Sequence, residues 1–166
     1  MEVSNHVFIL SLVCWIIILV KLKTLFKKIC ISSDHAGYDI KDFIKDLLIK
    51  SNVSIIDLGP QENKSVDYPD FAKKVANRIK SNKSQIGILV CGSGTGMAIS
   101  ANKIKGVRAA VCYNSKSTYL CRLHNNANIL CLGSRLTKKK DIKKIVSIFL
   151  ATKFEGGRHL RRVRKI

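Results

Sequence analysis

Residues 85–96 read QIGILVCGSGTG, a run of apolar residues that stops at a thiol and then breaks into alternating glycines. QIGILV (85–90) lacks the polar alternation of a half-exposed strand, so it predicts a central strand of a parallel sheet, buried on both faces. The glycines that follow turn the chain into a helix over about 95–104, with Met97 and Ala98 in its first turn.

The same rhythm extends in both directions. Upstream, KKICISS (27–33) and VSIIDL (53–58) read as strands. Between them Ile40, Phe43, Ile44, Leu47 and Leu48 recur at helical spacing, and after Pro69 so do Phe71, Val75 and Ile79. Downstream, VRAAVC (107–112) and NILCL (128–132) are strands separated by a helix over about 115–123, and Ile142, Ile145, Val146 and Phe149 stripe a last helix. No internal repeat is apparent. Strands alternating with helices define an α/β chain: a single-domain, doubly wound (Rossmann- or flavodoxin-like) open sheet of five parallel strands. A strand order of 2-1-3-4-5 places the topological switch point, where such sheets bind ligands, between strands 1 and 3.

The domain is expected to span residues 28–166, after a hydrophobic leader over residues 1–27. Within the leader, residues 7–20 (VFILSLVCWIIILV) are nearly unbroken apolar sequence followed by Lys21, Lys23, Lys27 and Lys28. The stretch is short for a membrane span, and its flanks fit a cleaved secretory signal poorly, with Glu2 near the start and no small-x-small site before Ile29. It is read as an uncleaved membrane anchor or organelle-targeting segment, with a non-physiological extension as the equal alternative, and the domain after it as cytoplasmic. Three N-x-S sequons, at Asn52, Asn63 and Asn82, are expected by chance in a chain so rich in Asn and Lys.

The formal charge of +19 raises nucleic-acid binding as a function class. The lysines are dispersed, however, and fall mostly where a helix leaves its side chains in water. Basic motifs interleaved with aromatics are missing, so no nucleic-acid partner is expected and a basic nucleic-acid binder on a degenerate enzyme scaffold is the lesser alternative. Only Arg158, Arg161, Arg162, Arg164 and Lys165 are dense enough to bind an anion as a group. The six cysteines, 14, 30, 91, 112, 121 and 131, form no CxxC pair and no metal-ligand spacing with the four histidines, so no metal site is expected and a reducing compartment is. Cys30, Cys112 and Cys131 sit in apolar runs and read as core residues.

The chemistry gathers past strands 1 and 3, at Ser33-Asp34-His35-Ala36-Gly37 and Cys91-Gly92-Ser93-Gly94-Thr95-Gly96. A glycine loop entering a helix offers backbone N–H groups and a helix dipole to an anion. It misses the dinucleotide fingerprint: Met97 stands where the third glycine belongs, and no Asp or Glu occurs between Asp70 and Asp141 to take a ribose. Neither NAD nor any other cofactor is expected. With no carboxylate near the loop in sequence, Cys91 is the candidate base; a helix N-terminus favours the thiolate, though an inert core cysteine is an equal reading from the residues alone.

The segments SSDHAGYDIK (32–41), VDYPDFA (66–72), ILVCGSGTGMAISANKIKGVRAAVC (88–112), RLHNNANILCLGSR (122–135) and FEGGRHLRRV (154–163), in this order and spacing, resemble ribose-5-phosphate isomerase B and its relatives, the galactose-6-phosphate isomerase subunits. The resemblance covers roughly Ile29–Val163. It implies a sugar-phosphate aldose–ketose isomerase converting D-ribose 5-phosphate to D-ribulose 5-phosphate through an enediolate, with a six-carbon substrate such as allose or galactose 6-phosphate as the alternative. Family members use either a thiol where Cys91 stands or a carboxylate just after the last glycine; here that position is Met97, which implies the thiol branch. The resemblance further implies Ser93 near the ring oxygen, with the loop amides of Ser93 to Gly96 holding the enediolate together with Asn125, and Gly92, Gly94, Thr95 and Gly96 among the substrate-binding residues. His124 is the implied ring-opening acid/base, and Asp34 orients hydroxyls or assists that step. His35, Arg158 and Arg162 match a phosphate clamp, Tyr68 lines the pocket, and Arg135 resembles an arginine lent by a neighbouring subunit. A homodimer, or a tetramer built from it, with a shared active site is therefore the implied assembly.

Overall fold

A computed structural model describes residues 22–82 and 85–166. Five parallel strands, β1 (Lys28–Ser33), β2 (Ser54–Asp57), β3 (Ile86–Cys91), β4 (Ala109–Val111) and β5 (Ile129–Gly133), make one sheet. Helices α1 (Tyr38–Lys50), α2 (Tyr68–Ser81), α3 (Thr95–Asn102), α4 (Ser115–Asn125) and α5 (Lys139–Ala151) follow the strands in turn, and a short α6 (Gly157–Val163) closes the chain. The expected doubly wound α/β domain is present. The apolar run at 7–20 lies outside the described residues, and among those described no helix is long and apolar enough to cross a membrane.

The strand order is β2-β1-β3-β5-β4, which corrects the expected 2-1-3-4-5. β5 lies beside β3, with Cys91 registered against Gly133, and β4 is displaced to the edge. Burial explains the exchange: every residue of β5 is buried, as a central strand requires, whereas β4 is three residues long and only half-buried. The switch point is untouched, because β1 and β3 remain neighbours with Ser33 opposite Val90.

Strand periodicity sorts the core into two layers. Ile29, Ile31, Ile88, Val90, Leu130 and Leu132 face one side, where they pack with Ile44, Leu48, Val146 and Phe149 of α1 and α5. Cys30, Leu89, Cys91, Ile129 and Cys131 face the other, against Val75 and Ile79 of α2 and Met97 of α3. Cys30, Cys112 and Cys131 are fully buried, as expected of core thiols. Gly37 shows how closely the first helix is drawn to the sheet: a Cβ there would stand 2.4 Å from the Val90 carbonyl oxygen, so only glycine fits.

One lysine departs from the solvated pattern. Lys41, on α1, is only 1 % exposed; its Nζ lies 3.2 Å from Asp57 Oδ1 at the end of β2 and donates to the Pro60 carbonyl as well. Asp57 also pairs with Lys45 at 2.7 Å and accepts the Gly59 N–H at 2.9 Å. This cluster holds the loop after β2, whose Gly59 carbonyl in turn accepts from Ser33 N and Ser32 Oγ at the end of β1.

Candidate active site

Adjacent parallel strands whose connections lie on opposite faces leave a crevice beyond their C-terminal ends. Here that crevice is a pocket of about 320 Å³ lined by Asp34, Tyr68, Cys91, Gly92, Ser93, Gly96, Arg135 and Leu136. Seven of these eight were candidates from sequence; Leu136 was missed, since nothing in its local pattern distinguishes it from any exposed apolar residue.

The loop after β1 is set by its own hydrogen bonds. Asp34 N donates to the Val90 carbonyl at 3.1 Å, tying the two strand ends together, and Asp34 Oδ1 accepts the Gly37 N–H at 2.9 Å. Asp34 is thereby nearly buried, in a fixed orientation, at the pocket wall. His35, next in sequence, is exposed outside this lining, and its Nδ1 accepts a long 3.4 Å contact from Val66 N.

The loop after β3 wraps the thiol. Cys91 Sγ accepts the Gly94 N–H at 3.1 Å. Gly94 adopts φ +81, a left-handed conformation natural to glycine, and a Cβ there would meet the backbone of Leu132. Thr95 N donates to Ser93 Oγ at 3.3 Å and opens α3. The remaining glycines are close-approach positions: the Arg135 guanidinium lies over Gly92, with its carbon 3.4 Å from where a Cβ would be, and the Tyr68 ring lies 2.8 Å from the corresponding point at Gly96. Arg135 thus lines the pocket of its own chain, where the resemblance implied an arginine lent by a neighbouring subunit. Its loop is anchored there by Ser134 N to the Cys91 carbonyl at 2.8 Å and Arg135 N to the Gly92 carbonyl at 3.1 Å.

His124, Asn125, Arg158 and Arg162 are not brought to this pocket. The reason is topological: α4 leaves the C-terminal end of β4 and runs back toward the start of β5, so its last turn, with His124 and Asn125, sits at the opposite end of the sheet from Cys91. There His124 stacks on His159 of α6, ring centroids 4.2 Å apart and planes within 4°. Glu155 Oε2 lies 3.6 Å from His124 Nε2 and 3.7 Å from His159 Nε2. Desolvation lowers the pKa of His159, as do His124, Arg158 and Arg162, against the opposing pull of Glu155. His159 and Glu155 were not picked out from sequence, although both stand inside the segment FEGGRHLRRV. The three groups are close enough in distance to be weighed as a metal site, all ligand atoms lying within 4.8 Å of one another. Parallel stacking argues otherwise, because an imidazole lone pair lies in its ring plane and two parallel planes do not converge on one ion.

A single chain therefore carries two separate clusters at opposite ends of one sheet, a thiol pocket and a His-Arg cluster. The model for the ribose/galactose isomerase family matches residues 29–166. The chain is 47% identical over 138 residues to a putative sugar phosphate isomerase of Rickettsia bellii, covering 83% of this chain and 96% of that one. It is 41% identical to ribose-5-phosphate isomerase B of Escherichia coli, covering 84% and 94% respectively. Among solved structures, ribose-5-phosphate isomerase B of Mycoplasma genitalium with bound ribulose 5-phosphate superposes with a TM-score of 0.82 at 45% identity, covering 86% of this chain and 95% of that one. The chain belongs to the ribose/galactose isomerase family.

Proposed function

We propose that this chain is a ribose-5-phosphate isomerase that interconverts D-ribose 5-phosphate and D-ribulose 5-phosphate, with Cys91 as the base. The observation that carries the reading is Cys91 Sγ held by the Gly94 amide at the wall of the switch-point pocket. The relatives named ribose-5-phosphate isomerase B, and the neighbouring structure with ribulose 5-phosphate bound, supply the substrate.

In the proposed reaction His124 acts as acid/base on the ring oxygen and anomeric hydroxyl to open the furanose, while Asp34 orients the hydroxyls. The Cys91 thiolate then takes the C2 proton, and the electron pair passes through C1 to the carbonyl oxygen to form the enediolate. Returning that proton to C1, as the O2 proton passes to O1, leaves the carbonyl at C2 and a hydroxyl at C1. Of the loop amides, Gly94 serves the sulfur and Thr95 serves Ser93 Oγ. Those of Ser93 and Gly96, with Asn125, hold the enediolate oxygen. Ser93 stands near the ring oxygen, Tyr68 forms one wall beside Gly96, and Arg135 lies across Gly92. His35, Arg158 and Arg162 clamp the phosphate, the guanidinium groups by paired hydrogen bonds.

The working unit is proposed to be a homodimer in which one protomer lends its His124–Asn125–Arg158–Arg162 end to the other's thiol pocket. The support is the separation of the two half-sites within one chain, together with the exposed Tyr68 and Leu136 at the pocket, apolar surface suited to an interface.

The activity is tested by incubating the purified chain with ribose 5-phosphate and, separately, allose 6-phosphate. Conversion of the pentose with the higher kcat/KM is expected; no turnover of the pentose would overturn the reading, and preference for the hexose would reassign the substrate. Assembly is tested by remixing inactive Cys91→Ala and His124→Ala proteins under mild denaturation. Shared sites should restore roughly one quarter of wild-type activity, since half the dimers re-form as mixed pairs and each carries one intact site. No recovery would place both residues in one chain's site.

A further inference from the structure

A second cavity, of about 460 Å³, opens at the end of the sheet where the strands begin, and it shares no lining residue with the thiol pocket. Lys80, Lys105, Arg108 and Arg122 line it, with Gln85, Asn126 and Asn128 as neutral polar groups and Phe26, Ile79 and Ile86 as an apolar wall. No described residue in this lining is a carboxylate. His124, Arg158 and Arg162 are absent from it too, so it is also separate from the His-Arg cluster.

The two arginines are built in rather than trailing from the surface. Arg122 is 5 % exposed, with its guanidinium between the rings of Phe26 and Phe149 at 5.4 and 5.5 Å. Asn126, left-handed at φ 48, binds both arginines: its side-chain oxygen accepts Arg122 Nη1 at 3.1 Å, and its carbonyl accepts Arg108 Nε at 3.0 Å. All of these partners are neutral oxygens. Arg122 Nε is buried and has no hydrogen-bond partner. The nearby Cys121 is no counter-ion, because its bond with Cys112 and its burial push its thiol up and keep it neutral. Burial brings the Arg122 pKa down, and Arg108 adds to it, against an opposing pull from Cys121. Two fixed guanidinium groups side by side, one of them desolvated and short of an acceptor, cost free energy that a bound anion offsets.

We propose that this cavity is a second anion site, which binds a small phosphate compound through Arg108 and Arg122, with Lys80 and Lys105 completing the charge at its rim. A planar, forked guanidinium suits phosphate oxygens, and a cavity of this volume admits a ligand larger than the bare anion. Two sources of the same chemistry fit, free diphosphate and a diphosphate borne on a nucleoside that would lie on the Phe26–Ile79–Ile86 wall.

The test is calorimetric titration of the full chain with inorganic pyrophosphate and, in a parallel arm, with adenosine 5′-diphosphate. Both are run in saturating ribulose 5-phosphate, so that the sugar-phosphate site is filled. One saturable site per chain is expected in at least one arm, and the arm that binds more tightly names the source. The double variant Lys80→Gln/Lys105→Gln, altered only at exposed side chains, should weaken it about tenfold or more while isomerase turnover is unchanged. Arg108→Gln should weaken it further. Absence of binding in both arms, or equal affinity in the wild type and the double variant, would overturn the proposal. So would a loss caused by Arg158→Gln instead, since the anion would then occupy the sugar-phosphate site. The binding measurements stand without the isomerase assignment; only the turnover control and the ribulose 5-phosphate block rest on it.

Discussion

Replacing Cys91 by alanine is expected to lower kcat for ribose 5-phosphate about 10²–10⁴-fold, the usual contribution of a positioned proton-transfer group, while KM changes little. The asymmetry between kcat and KM follows from where the thiol sits. Cys91 Sγ is held against the Gly94 amide at the pocket wall, so its loss removes a contact with the moving proton and leaves the phosphate-binding groups intact. Exchange of the substrate C2 hydrogen with deuterated solvent should fall in parallel, which separates loss of proton transfer from a slowed ring opening. The pocket offers one alternative base, Asp34, and the structure makes the comparison sharp. Asp34 Oδ1 already accepts the Gly37 N–H, so its carboxylate is committed to shaping the loop. If Cys91→Ala kept near wild-type turnover while Asp34→Asn abolished it, the carboxylate would be the base and the thiol merely part of the wall.

The second large effect is on stability. Lys41→Met should destabilise the fold by about 2–4 kcal/mol, below the roughly 3–5 kcal/mol of a fully buried pair because Lys45 still faces the carboxylate. The substitution keeps much of the side-chain volume but strips Asp57 of one cation and the Pro60 carbonyl of its donor. Urea denaturation at neutral pH reads the change. Its pH dependence checks the cause. Burial raises the Asp57 pKa, but the bonds from Lys45, Gly59 N–H and Lys41 outweigh it and hold the carboxyl below its ordinary value. A carboxyl with a lowered folded-state pKa contributes stability that is complete above the unfolded value, near 3.9, and is lost as pH falls through the folded value. The gap between wild type and variant should therefore be full at pH 6–7 and close below about pH 4. A gap that persisted unchanged into acid would trace the effect to packing of the lysine stem instead.

Lys41 also shows why part of this protein was hidden from a linear reading. In a chain of net charge +19 with lysines on four of its six described helices, nothing in the sequence marks this one as interior. It is buried because the loop after β2 folds back over α1 and brings an acceptor and a carboxylate to it. Arg122 is similar: a basic residue in an amphipathic helix, buried by Phe26 and Phe149 from distant segments. The exchange of β4 and β5 has the same origin. Both strands read as short apolar runs, and which one neighbours β3 depends on how fully each is covered by helices from elsewhere.

Local pattern alone determined the alternation of strands and helices, the central place of residues 85–90, and the meeting of the Asp34 and Cys91 loops. Continuous apolar runs, helical repeats and glycines at turns are properties of neighbouring residues, and a parallel sheet converts them into a layered fold with little freedom. Only the tertiary structure decided that Arg135 covers its own chain's Gly92, that His124 stacks on His159 with Glu155 beside them, and that this cluster stands at the far end of the sheet from the thiol. Those are relations between segments distant in sequence, set by the direction in which each helix runs back along the sheet.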